Sequence, residues 1–346
     1  CHTYGGEKFS LRSVAEVTAD IQAMKNIADN LVEISRQQGQ GGIVNRIVLK
    51  HMFEKGMFND EFYQSVASWL YFGGENVFLQ DADSLILKTE NMLEILEYLL
   101  RVFPGIKRIT TYCRSHTAAR KSSREFQQLR EAGLTRIHIG MESGCDEVLQ
   151  LIRKGVTAQE HIKAGLNIRQ AGMELSEYVI PGLGGVEWSD KHASETALVL
   201  NEINPDFIRL RTLHVVPGTN LAAIRAAGNF REQSDEAILR EIKLFIEKLD
   251  LQKTRLVSDH ILNLLEEIEG QFPEEKEKML SVIDKYFAMS APERLIYRLG
   301  RRSGILRKMA DLDDRGIYAR LKTVADEYRS TEEMERNIAE IMNNYI

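Results

Sequence analysis

Polar residues gather at the ends of short apolar runs. Asn76-Val-Phe-Leu79 leads into Gln80, Asp81 and Asp83, and Arg108-Ile-Thr-Thr-Tyr112 leads into Cys113, Arg114 and His116. Ile137, Ile139 and Met141 alternate into Glu142, which is followed by Ser143 and Gly144. Leu175 to Ile180 runs into Pro181-Gly-Leu-Gly-Gly185, and Phe207-Ile-Arg-Leu-Arg211 runs into His214 and Val216-Pro-Gly-Thr219. Carboxylates accept hydrogen bonds from an ammonium group or from ribose hydroxyls, and a guanidinium grips a carboxylate. Bare glycine backbone lets a flat base lie close. The set suits a zwitterion that carries a sugar and a base.

These groups need elements that raise them to one rim. Between the apolar runs lie helical patterns with recognisable starts and stops. Ser13 opens a long amphipathic helix that runs to Gln37 and is stopped by Gly39, Gly41 and Gly42. Residues 43–72 read as a helical insertion ending in Trp69-Leu-Tyr-Phe72. Thr89 is expected to cap a helix with an apolar stripe at Met92, Leu96, Leu99 and Phe103. Ser122 with Glu125, and Thr157 with Glu160, have the spacing of capping boxes, and Ser143 with Asp146 is expected to form another. A helix over Ser189 to Ile203 follows the fourth run.

Strand centres at Val77, Ile109, Ile137, Tyr178 and Ile208 are spaced as βα units. Alternating β and α implies a parallel sheet whose strands are buried on both faces. Ligands in such folds lie at the carboxyl ends of the strands. From about Ser234 the chain reads as almost wholly helical, over 234–249, 274–287, 291–309 and 315–345. The expected fold is therefore α/β: a partial (β/α)6 TIM-like barrel over residues 1–230, with a helical C-terminal extension over 231–346.

The order of motifs resembles the radical S-adenosylmethionine superfamily, in its elongator-type and methylthiotransferase-type branch. The resemblance covers residues 1 to about 230 and rests on Cys1 with its following loop, Gln80-Asp-Ala-Asp83, Gly140-Met-Glu-Ser-Gly144, Tyr178-Val-Ile-Pro-Gly-Leu-Gly-Gly185 and Val216-Pro-Gly-Thr219. It implies a 4Fe–4S cluster and S-adenosylmethionine as cofactors. A reductive cleavage would then yield a 5′-deoxyadenosyl radical, with an external electron donor such as flavodoxin or ferredoxin. By the resemblance Cys1 is a cluster ligand. Gln80, Asp81 and Asp83 serve the methionyl amino end, Arg114 the carboxylate, Glu142 the ribose, and Ile180, Gly182, Gly184, Val216 and Gly218 the adenine. Residues that act directly on a substrate are not identifiable.

The chain departs from the family's C-x3-C-x2-C pattern, since only Cys1 stands where ligands are expected. One thiolate cannot hold the cluster. Two further cysteines and a first strand are expected upstream of Cys1, which is not a starting Met. Gly73-Gly-Glu75 precedes its strand and reads as a turn. Cys113 and Cys145 are more simply idle thiols than ligands.

Composition narrows the classes further. The 346 residues, 43% of them hydrophobic, can bury a large core, and no apolar run is long enough to cross a membrane. Three cysteines make no disulfide scaffold, so a cytoplasmic protein is expected. A net charge of −6 argues against bulk nucleic-acid affinity. The basic residues Arg294, Arg298, Arg301, Arg302, Arg307 and Lys308 read as a solvated helix face, with an anionic-substrate or RNA contact as the minority reading. Ser258-Asp-His260 with Asn263 is a polar cluster that reaches substrate or caps a helix. Two other functions fit the same fold: a cluster-free hydrolase or lyase using Glu142 and Asp81, and a non-catalytic module binding S-adenosylmethionine or a partner.

Overall fold

The computed structural model describes residues 10–328 and 330–342. Cys1 lies outside them. The described chain divides into two compact units, one of residues 10–138 with 170–174, the other of residues 139–169 with 175–342.

In the first unit, α1 (Val14–Gln37) begins at a capping box in which the Ser13 hydroxyl and the Glu16 carboxylate each take the other's backbone N–H. With α2 (Arg46–Glu54) and α3 (Glu61–Tyr71) it encloses an apolar cluster built on Leu31, Val48, Met52 and Ala67. Burying each of the larger side chains contributes about 1.5–3 kcal/mol. Strand β1 (Asn76–Leu79) pairs in parallel with β2 (Arg108–Cys113), Asn76 opposite Arg108, and α4 (Thr89–Val102) crosses between them. The sequence reading made Thr89 the cap of α4. Lys88 holds that position instead, and the Thr89 hydroxyl donates to Glu125 at 2.8 Å. Short α5 (Ser115–Arg120) follows β2, and α6 (Ser123–Glu131) opens with the expected Ser122–Glu125 box.

Strand β3 (Leu134–Glu142) starts beside β2, where Thr135 Oγ1 bonds the backbone of Ile109. Its carboxyl end belongs to the second unit. There α7 (Asp146–Leu151), α8 (Ala158–Gln170), β4 (Glu174–Val179), α9 (Gly185–Ile203) and β5 (Phe207–Leu210) continue the repeat. Strands β4 and β5 are parallel, with Val179 opposite Leu210. After α10 (Asn220–Ala226), α11 (Asp235–Lys248) buries Ile238, Leu239, Ile242, Phe245 and Ile246.

The stretch after Ser234 is not wholly helical. Strand β6 (Arg255–Val257) adds to β5 in parallel, and β7 (Gly270–Gln271) closes on β6 in antiparallel fashion. Three residues are too few for a strand to show its alternation in sequence. The remaining elements are α12 (Lys276–Ala288), α13 (Ala291–Arg302), α14 (Arg315–Asp326) and α15 (Thr331–Met342). The α/β class and the parallel sheet are those expected from the sequence.

Candidate functional site

Glu142 ends β3 with a left-handed backbone, φ +68°, an uncommon state for a residue with a side chain. Such outliers cluster where a side chain is aimed for a purpose. Its Oε1 accepts from Lys154 Nζ at 2.5 Å, and both side chains are partly exposed. The backbone oxygen of Glu142 accepts from Ile180 N at 3.0 Å, so the end of β3 lies beside the end of β4.

Ser143 does not cap a helix. Cys145 occupies the N-cap of α7, and the Asp146 carboxylate accepts from Ala158 N at 2.7 Å, at the start of α8. The fully buried Ser143 hydroxyl turns to His192 Nδ1 at 2.8 Å and accepts from Cys145 N at 3.0 Å. The next residue must be glycine on steric grounds. A Cβ on Gly144 would stand 2.7 Å from the Cα of Thr196 in α9, while its own N–H donates to Thr196 Oγ1 at 2.8 Å.

The glycine loop after β4 is gripped from two helices. Gly182 has φ +89° and donates its N–H to Glu241 Oε1 of α11 at 2.7 Å. Glu241 also accepts from Ser189 Oγ at 2.7 Å and Gln233 Nε2 at 2.5 Å. His192 Nε2 lies 3.1 Å from the Ile180 carbonyl. A carbonyl only accepts, so the proton is on Nε2, and Nδ1 accepts from Ser143. Burial holds the pKa of His192 below its ordinary value, in keeping with a neutral ring. The residues after β5 run on beside this loop, with Leu213 N donating to Pro181 O at 2.9 Å. Beyond them Val216 O accepts the Thr219 hydroxyl at 2.7 Å, and Gly218, φ +82°, makes the turn into α10. Thus Glu142, Ile180, Gly182 and Gly184 are brought together in one unit, with Val216 and Gly218 in the loop that follows β5.

Gln80, Asp81, Asp83 and Arg114 belong to the other unit. Both oxygens of Asp83 are engaged within it: Oδ1 accepts from Arg114 N at 3.0 Å and Oδ2 from Thr117 Oγ1 at 2.6 Å. Asp83 therefore braces the turn between β2 and α5.

Both described cysteines, Cys113 and Cys145, are buried free thiols. Burial, with Asp83 adding to it, pushes the Cys113 thiol well above its ordinary pKa. Burial pushes that of Cys145 up to about 12. Cys145 does lie near Glu147 and Glu195, but Lys191 Nζ pairs with both carboxylates and supplies the cation there.

Residues 60–197 match the family model described as the Radical SAM superfamily. Over that stretch the chain is similar to radical SAM domains. The match runs from α3 to α9 and takes in Glu142 and the glycine loop. The tRNA uridine(34) acetyltransferase of Methanocaldococcus infernus is 26% identical over 122 residues, 35% of this chain and 23% of that protein. Its counterpart from Methanocaldococcus jannaschii is 24% identical over 120 residues, 34% of this chain and 22% of that protein. The chain thus spans about a quarter of the length of these curated relatives. Among solved structures, the archaeal Methanocaldococcus infernus Elp3 with an N-terminal deletion aligns with a TM-score of 0.45 and 18% identity, over 59% of this chain and 54% of that one.

Radical SAM proteins use a 4Fe–4S cluster and S-adenosylmethionine. The cluster finds no thiolate trio among the described residues, and its expected ligand Cys1 lies outside them. The nucleoside part fits better. A carboxylate stands at the end of β3, and the glycine loop beside it is fixed by hydrogen bonds from α9 and α11.

Sequence reasoning missed His192 and Glu241, which lie far from the motifs they hold. The available signal was a glutamate within the apolar face of α11. Asn263 neither caps a helix nor is exposed: its Oδ1 accepts from Thr212 N and Oγ1, and its Nδ2 donates to Leu210 O and Ser258 Oγ. Arg301 and Arg302 are buried, not solvated. Arg301 bonds Asn263 O and Glu266, and Arg302 bonds Leu262 O and Asp235.

Proposed function

We propose that the chain is the S-adenosylmethionine-binding part of a radical SAM iron–sulfur enzyme. Glu142 binds the ribose, and Ile180, Gly182 and Gly184, with Val216 and Gly218, receive the adenine. Gln80, Asp81, Asp83 and Arg114 are assigned to the methionyl end as proposals of the same kind, and Cys1 to the cluster. When bound, the cofactor supplies the radical chemistry; the chain's own residues bind and orient it. The observation that carries the reading is Glu142 itself, a strained carboxylate at a strand end beside a braced glycine loop, inside the matched region.

The test is Glu142→Ala in the full-length protein. Loss of a charge-assisted hydrogen bond costs about 1.5–3 kcal/mol, so S-adenosylmethionine affinity should fall about ten- to hundredfold by calorimetry. An unchanged dissociation constant would leave Glu142 as the partner of Lys154 only.

The substrate class we propose is RNA, on the likeness to the tRNA-modifying relatives. A one-electron donor such as flavodoxin or ferredoxin would serve as partner, and the cytoplasm as location. Among the described residues no helix is long and apolar enough to cross a membrane. Adding a tRNA transcript is expected to raise consumption of S-adenosylmethionine; no response to any tRNA would remove RNA from the proposal.

A further inference from the structure

Ser143, His192 and Glu241 form a buried row that has the look of a nucleophile, base and carboxylate. Its geometry is that of a brace. Ser143 is fully buried, and its hydroxyl is committed to His192 Nδ1 while also accepting from Cys145 N. His192 Nε2 stands 3.7 Å from Glu241 Oε1, too far for a hydrogen bond, and donates instead to the Ile180 carbonyl. Glu241 spends its oxygens on Gly182 N, Ser189 and Gln233.

The row therefore joins backbone segments rather than activating a hydroxyl. At one end is Ser143, the neighbour of Glu142. At the other are Ile180 and Gly182, which open the glycine loop. Helix α9 supplies His192 to both, and α11 supplies Glu241 to the loop. A ring with one donor and one acceptor nitrogen, each used, fixes the separation of its two partners. Holding a site before its ligand arrives removes an ordering cost from binding.

We propose that His192, seated beside Glu241, is a positioning residue for cofactor binding: it ties the Glu142–Ser143 turn to the Ile180–Gly182 loop and so presets the space for a nucleoside. This rests on the reading of that space as the S-adenosylmethionine site.

The experiment compares His192→Leu, which removes both bonds, with His192→Gln, which keeps an amide able to donate to Ile180 and accept from Ser143. Amide hydrogen exchange and S-adenosylmethionine affinity are read on the same samples. In His192→Leu the amides of residues 142–145 and 180–185 should exchange about tenfold faster, and the dissociation constant should rise about tenfold. His192→Gln should recover most of both, which a purely space-filling role would not require. Should His192→Leu fail to fold, Ser143→Ala removes the serine–histidine bond together with the Cys145 N–H bond to the same hydroxyl, and carries the same expectations at 142–144. Wild-type exchange in the leucine variant overturns the brace. Faster exchange with unchanged affinity overturns its role in binding. If Glu142→Ala also leaves affinity unchanged, the site reading has failed, and the exchange data still decide whether the brace exists.

Discussion

Two buried ionisable residues outside the candidate site set opposite pH dependences. Glu177 of β4 is fully enclosed, and its Oε2 finds no donor among the described residues. Burial raises its pKa to about 8, with Lys154 opposing. His161 of α8 is likewise buried, neither ring nitrogen bonded, and burial lowers its pKa to about 3. The folded state holds a proton on Glu177 that the unfolded chain loses above its ordinary value of 4.5, so that contribution to stability is present at low pH and declines up to about 8. His161 acts the other way: the unfolded ring takes up a proton below 6.5 and the folded one does not until about 3, so stability falls as pH falls through that window. Between 4.5 and 6.5 the two offset. From pH 6.5 to 8 only Glu177 remains, and it should cost about 2 kcal/mol across that span. Urea unfolding of wild type against Glu177→Gln checks this, since the variant should lack that part of the decline. Parallel curves for the two proteins would place the Glu177 carboxyl in contact with water.

At the scale of elements, Asn263 ties the loop between β6 and β7 to the end of β5. Asn263 satisfies the Thr212 N–H and hydroxyl and the Leu210 carbonyl, at the point where β5 hands the chain on towards Val216. Asn263→Ala leaves the Thr212 N–H buried without its acceptor and takes from the Leu210 carbonyl one of its two donors, the other being Arg211. The expected loss is about 2–4 kcal/mol, read as a lower urea midpoint, with faster amide exchange in residues 210–213. A change below about half a kcal/mol would mean that water replaces the amide there. The same logic explains why α9 comes so near β3. Gly144 lacks the Cβ that would strike Thr196, so the turn after Glu142 can lie against the helix that carries His192.

For the molecule as a whole, the question is what its basic residues do. Arg302, buried in α13, reaches Asp235 at the start of α11 at 2.5 Å, and Arg301 reaches Glu266 at 2.6 Å. These guanidiniums join the helices after β7 to the parallel repeat within the second unit. Arg302→Met would strand the Asp235 carboxylate and should cost about 3–5 kcal/mol. The same substitution should leave tRNA affinity and its salt dependence as in wild type, because a buried charge releases no counterions from a phosphate backbone. A reduced salt slope in folded Arg302→Met would return these arginines to the RNA-binding surface.

Sequence alone determined the features that depend on near neighbours. The boxes Ser122–Glu125 and Thr157–Glu160 are legible because capping partners lie three residues apart. The βα repeat is legible because a parallel strand must be an apolar run followed by a crossover. Glu142 was legible as a strand-end carboxylate for the same reason. Tertiary structure decided what depends on distant partners. Ser143 has the spacing of a cap, yet its hydroxyl goes to His192, 49 residues away, and Gly182 is held by Glu241, 59 residues away. Arginines 301 and 302 carry charge in the sequence, and only the fold places acceptors around them and takes them out of water. Strand β6 is three residues long and is a strand because β5 offers it an edge. Local pattern records what a residue prefers; burial and long-range pairing record which preference the folded chain can satisfy.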